Sequence, residues 1–161
     1  MKRCLLLMRH AKATPASLGV SDHERPLEKK GIDDAHEVGK LLHKHGYEPD
    51  VVLCSDSKRT LETWEQVKPS LDAGAEFIKT PKLYESDVPS YESVLAAEGE
   101  DGKCVLLIGH NPTIEDFVAS LTSERVVVKP SDTVVLEVKA PSWDAAFDRL
   151  GEWQFVEIIK C

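Results

Sequence analysis

Three short stretches of this chain, residues 4–8, 51–54 and 104–108, are apolar or cysteine at every position. A strand with one wet face alternates apolar and polar side chains, because successive residues point to opposite faces. A strand that is apolar throughout is covered on both faces, as in a parallel sheet clothed by helices. That pattern confines the chain to the α/β class.

Helical patterns lie between the runs. Residues 27–45 put Ile32, Ala35, Val38, Gly39 and Leu42 on one stripe, with Gly46 placed to cap the end. Residues 57–67 predict a second helix, stopped by Pro69. Phe77 and Ile78 predict a minor strand, residues 91–97 a helix and residues 99–102 a turn. Asn111 reads as an N-cap and Pro112 as the first residue of a helix reaching about Leu121. Residues 133–138 and 154–159 close the chain as strands, and Trp143 and Trp153 in the loop between them are assigned to packing. The expected fold is a three-layer α/β sandwich, with a mainly parallel central sheet and helices on both faces. The last strand follows no clear helix, so an antiparallel direction is open to it. The 161 residues are expected to form a single domain, 1–161. A chain of that length buries roughly 70% of its unfolded surface and needs no disulfide or metal to hold it.

Composition removes several classes of partner. A formal charge of -8 and a pI near 5.2 argue against nucleic acid and against an anionic membrane surface. The basic start followed by residues 4–8 is too short for a signal sequence, and nothing approaches the roughly 20 apolar residues of a membrane span. Cys4, Cys54, Cys104 and Cys161 form no C-x-x-C pair and read as reduced thiols, consistent with a cytoplasmic protein. The acidic residues do not cluster with the histidines in a ligand spacing, so neither a metal nor another cofactor is expected.

Chemistry collects where the apolar runs stop. Arg9-His10 follows the first, Ser55 and then Arg59 follow the second, and Gly109-His110-Asn111 follows the third. Carboxyl ends of parallel strands share one edge of a sheet, and ligands bind there. Two histidines and two arginines are therefore expected to converge. Guanidinium groups bind phosphoryl oxygens in pairs, and a helix starting near Asn111 would add amide donors. A neutral imidazole can attack phosphorus, and neighbouring arginines would oppose its protonation. His10 is the expected nucleophile, with Arg9, Arg59 and His110 neutralising the transferring group. His23, His36, His43 and His45 read as hydrogen-bonded surface or boundary residues rather than catalysts.

These residues also match a known family. Leu5-Leu6-Leu7-Met8-Arg9-His10-Ala11 resembles the strand and Arg-His signature of the histidine phosphatase superfamily, also called phosphoglycerate mutase-like. With Ala11 where many members have glycine, it is similar to the SixA-like phosphohistidine phosphatase branch. Asp22-His23-Glu24-Arg25-Pro26-Leu27, the segment from Cys54 to Thr63, and Leu106-Leu107-Ile108-Gly109-His110-Asn111-Pro112 resemble further segments of that family in order. Asp56 departs from the proline common after the serine. The resemblance implies a phosphohistidine intermediate on His10, with Arg9, Arg59 and His110 holding the phosphoryl group and Arg25 near the pocket. The spacing leaves little room for the insertion that caps the pocket in many members, so an open site is expected. Glu85 lies about where mutase-like members carry a general acid, and Asp22 is the other carboxylate in reach of that role.

The implied substrate is a phosphorylated protein, preferably carrying phosphohistidine, with inorganic phosphate as product. Imidazole leaves readily and needs little acid, whereas an ester needs a general acid. The alternatives are a small phosphorylated substrate, cleaved or isomerised with Glu85 as acid, and a module that binds phosphorylated partners without turnover.

Overall fold

The computed structural model of the protein describes residues 1–71, 74–99, 101–149 and 152–161. Among these, the strands are β1 (Lys2–Arg9), β2 (Val51–Ser55), β3 (Glu76–Thr80), β4 (Cys104–Gly109), β5 (Thr133–Lys139) and β6 (Gln154–Ile159). They form one sheet in the order β3-β2-β4-β1-β5-β6. β3, β2, β4 and β1 are parallel neighbours. β5 pairs antiparallel with β1, and β6 antiparallel with β5.

The last strand does pair antiparallel, but the strand reversed against the parallel set is β5. The segment after the fourth helix returns to the edge where β1 ends. There the Ser131 amide donates to the carbonyls of Arg9 and His10, both at 3.1 Å. β5 starts from that edge and can only run back along β1.

The helices are α1 (Lys29–Lys44), α2 (Lys58–Leu71), α3 (Val88–Glu98), α4 (Thr113–Thr122) and the single turn α5 (Trp143–Ala146). Alternation along the buried strands decides which helices they meet. Leu6, Met8, Val52, Cys54, Leu106 and Ile108 pack with Ala35, Val38 and Leu42 of α1 and Trp64 and Val67 of α2. Leu5, Leu7, Leu53, Val105 and Leu107 pack on the other face with Tyr91, Leu95, Phe117, Leu121 and Trp143 of α3, α4 and α5. Each buried leucine or isoleucine contributes about 1.5–3 kcal/mol, and two covered faces explain why the runs carry no polar interruptions.

Several helix ends differ from the sequence-based expectation. α2 continues through Pro69 to Leu71. Proline in a last turn removes a single backbone bond, and buried Val67 and Leu71 hold the turn in place. α3 starts earlier than residue 91, because the Asp87 side chain accepts from the Ser90 amide at 3.0 Å. At α4 the N-cap position belongs to Pro112, while Asn111 Oδ1 accepts from the Glu115 amide at 3.3 Å. α5 falls in the stretch expected to be a loop, and Ser142 caps it. The Gly102 amide bonds the Gly99 carbonyl in the expected turn, although Glu100 lies outside the described residues.

Trp143 and Trp153 pack as expected, with their indole N–H groups on the carbonyls of Gly102 and Ala146. Arg3, 1% exposed, was not flagged by the sequence. Its guanidinium donates to the carbonyls of Ala140, Gly102 and Pro141 and lies 5.6 Å from the Trp143 ring centroid.

Candidate functional site

Register brings the strand ends together. Met8 pairs with Ile108 and Ile108 with Cys54, so His10, His110 and Ser55 leave the sheet side by side. The His10 and His110 ring centroids are 5.3 Å apart. A cleft of about 480 Å³ opens over them, and all six residues expected at the site, Arg9, His10, Arg25, Arg59, Glu85 and His110, line it.

His10 is nearly buried, and its Nδ1 lies 2.7 Å from the Ala11 carbonyl oxygen. A carbonyl accepts only, so Nδ1 carries the proton and Nε2 keeps its lone pair. Burial is the main reason its pKa falls to about 4; the Ala11 carbonyl opposes the fall, and Arg59, Arg9 and Arg25 add to it. The arginines thus act as expected but rank behind desolvation. His110 is also neutral, with its pKa lowered to about 3 by burial first and then by His10 and Arg59. Its Nδ1 faces Arg59 Nη2 at 3.4 Å and therefore accepts, while Nε2 faces Ser55 Oγ at 2.9 Å and donates.

The arginines are only partly used by the protein. Arg9 Nη1 donates to the Val128 carbonyl at 3.0 Å. Arg59 Nη1 donates to the Asp22 carbonyl at 2.8 Å, and its Nη2 reaches Asp22 Oδ2 at 3.2 Å. The Nε atoms of both Arg9 and Arg59 are buried with no hydrogen-bond partner. Buried donors left unpaired cost roughly 1–3 kcal/mol each, a cost that a bound water or oxyanion would relieve. Arg25 lines the same cleft, with Nε on Asp22 Oδ1 at 3.0 Å and Nη1 on the Thr14 carbonyl at 2.7 Å.

The helix start contributes less than expected. The amides of Ile114, Glu115 and Asp116 bond His110 O, Asn111 Oδ1 and Pro112 O. An oxyanion here meets mainly side-chain donors. Glu85 is exposed at the rim with a left-handed backbone (φ 45°). Asp22 lies outside the lining set and is held as a carboxylate, its pKa lowered to about 2, chiefly by the Tyr84 hydroxyl.

Several residues at the site were given no role by the sequence. Ser55, noted only as following the second apolar run, orients His110. The Tyr84 ring faces His110 at 5.6 Å and lies 5.8 Å from the Arg59 guanidinium. Thr63 Oγ1 accepts from the Ala11 amide and donates to the Arg59 carbonyl, tying the His10 loop to α2. The Tyr91 hydroxyl accepts from the His110 amide at 3.0 Å. A Cβ on Gly109 would come 2.4 Å from that hydroxyl, so glycine is what lets Tyr91 reach His110. His23 is a half-buried, hydrogen-bonded residue beside the site. Its Nε2 meets Asp56 Oδ1 at 3.0 Å and its ring stands edge-on to Tyr84 at 4.7 Å, which gives Asp56 a partner where proline is common. Among the described residues, no group of three or more His, Cys, Asp or Glu is placed to hold a metal ion.

Neutral histidines and guanidinium groups gathered at the carboxyl ends of parallel strands define a phosphate-handling α/β enzyme. The family model for the histidine phosphatase superfamily (branch 1) matches residues 5–103. The chain belongs to that superfamily and is a hydrolase acting on phosphoryl groups.

Among its relatives, an uncharacterized protein of Mycobacterium tuberculosis is 30% identical over 93% of this chain and 92% of its own. An uncharacterized chloroplastic protein of Arabidopsis thaliana is 28% identical over 94% of this chain and 73% of its own. A structure assigned to the phosphohistidine phosphatase SixA, from Nakamurella multipartitia, superposes with a TM-score of 0.85 at 29% identity, covering 98% of this chain and 96% of that one. The protein histidine phosphatase SixA solved with tungstate shares the fold, with a TM-score of 0.80 at 24% identity, covering 98% and 96%.

Proposed function

We propose that the protein hydrolyses phosphohistidine on a protein substrate through a phosphohistidine intermediate on His10. The observation that carries this reading is the pair of unpartnered, buried Nε–H groups on Arg9 and Arg59, beside a neutral His10. A phosphoryl group seated there would take up those donors. His10 Nε2 attacks phosphorus as the bond to the leaving imidazole breaks, and that imidazole gains a proton. Water then attacks the same phosphorus, the bond to His10 breaks, and inorganic phosphate leaves. Arg9, Arg59 and Arg25 hold the phosphoryl oxygens, the His110 Nε2–H joins them by releasing Ser55 Oγ, and preorganised charge supplies most of the rate.

The substrate preference rests on two supports. Residues 81–87 alone join β3 to α3, and this short link fits one domain without a large cap, leaving room for a protein side chain. The likeness to the SixA structure from Nakamurella multipartitia points the same way. The free thiols suit a reducing compartment such as the cytoplasm.

The test is trapping. Protein incubated with a 32P-labelled phosphohistidine peptide and quenched in base should carry acid-labile, base-stable label on His10, absent in His10→Ala. Label on a serine or cysteine would overturn the intermediate. One observation favours a second reading: Glu85 lines the cleft, where a small phosphomonoester could use it as acid.

A further inference from the structure

We propose that Asp22 is a positioning residue that sets the Arg59 and Arg25 guanidinium groups in the cleft, rather than the acid that protonates the leaving group. The proposal builds on the phosphatase reading of the same site. Asp22 opens a single 3₁₀ turn, Asp22–Glu24, between the His10 loop and α1. Three donors converge on its carboxylate: Arg25 Nε on Oδ1 at 3.0 Å, and Arg59 Nη2 at 3.2 Å and the Tyr84 hydroxyl at 2.6 Å on Oδ2. Its backbone carbonyl takes Arg59 Nη1 at 2.8 Å. One residue thus grips both ends of the Arg59 fork.

All three of these partners line the cleft, whereas Asp22 does not. It holds the guanidinium groups from behind and leaves Arg59 Nε for a ligand. The grip extends further, since the same Nη2 reaches His110 Nδ1 and His110 in turn reaches Ser55. Tyr84, Asp22, Arg59, His110 and Ser55 therefore form one continuous hydrogen-bonded chain, of which Tyr84, Arg59 and His110 line the cleft. A leaving-group acid must carry a proton at working pH and reach the departing atom. Asp22 meets neither condition: its lone pairs are engaged by cations and a hydroxyl, and its pKa sits near 2.

Positioning and acid catalysis separate in an Asp22→Asn variant, which keeps the shape and loses the charge. The readouts are affinity for inorganic phosphate by calorimetry, and kcat/KM for aryl phosphates that differ in leaving-group pKa. Positioning predicts about a 10-fold weaker phosphate affinity and one common loss in kcat/KM for every leaving group, since charge-assisted hydrogen bonds are the strong ones. Tyr84→Phe should move both readouts the same way by a smaller factor. The double variant should be no worse than Asp22→Asn alone, because Tyr84 acts through Asp22. A loss that grows with leaving-group pKa would make Asp22 the acid and overturn the proposal, as would unchanged phosphate affinity in both variants. Absence of label on His10 in the unaltered protein would instead remove the phosphatase mechanism, so the two failures are distinct.

Discussion

His10 keeps its lone pair because of where β1 ends. The chain leaves the sheet at the floor of the cleft, desolvation disfavours the imidazolium, and the Ala11 carbonyl accepts a hydrogen bond from Nδ1–H. Activity should follow that lowered pKa. The acid limb of kcat/KM is expected near pH 4, and a limb near 6.5 in the pH–rate profile would show His10 to be solvated. Stability should respond with a definite sign. His10 and His110 bind protons more readily unfolded than folded, so their contribution is complete above about pH 6.5 and is lost as pH falls toward 4 and 3. Urea melts between pH 7 and 4 measure this directly. Glu85 carries the substrate question. If the substrate is phosphohistidine, Glu85→Gln should change its turnover less than about 3-fold yet slow an alkyl phosphate by 10²-fold or more, the usual scale of general acid catalysis.

At the scale of elements, a close approach of α1 to the His10 loop holds the site. The α1 backbone passes so near the His10 loop that a Cβ on Gly31 would lie 2.1 Å from the Lys12 carbonyl. Gly31→Ala must push the helix or the loop away. A destabilisation of about 1–3 kcal/mol is expected, by the overpacking rule, together with a fall in kcat. Thermal melts and single-turnover rates would check it. Gly31 drew no attention in the sequence, since a glycine in a helical stretch reads only as weak helix propensity. The three apolar runs, by contrast, were legible as strands, because cover on both faces leaves a continuous pattern. Helix ends were less legible. Asp87 starts α3 early and α2 tolerates Pro69, because side-chain caps and buried partners outweigh local propensity.

For the whole molecule, the two unpartnered Nε–H groups imply a folded state that gains by binding an oxyanion. Phosphate at 100 times its Kd should stabilise the protein by about 2.7 kcal/mol, and Arg59→Ala should abolish that shift in a thermal melt. The sequence by itself determined the class of fold and the meeting of His10, Arg9, Arg59 and His110, because strand burial and strand direction are local patterns with one global solution. Only the tertiary structure decided the rest. Asp22, Tyr84, Ser55 and Tyr91 take their places through contacts between residues 19 to 62 positions apart, such as Tyr91 on His110 and Tyr84 on Asp22. No periodicity encodes such pairs, since they exist only once the sheet has brought its strand ends together.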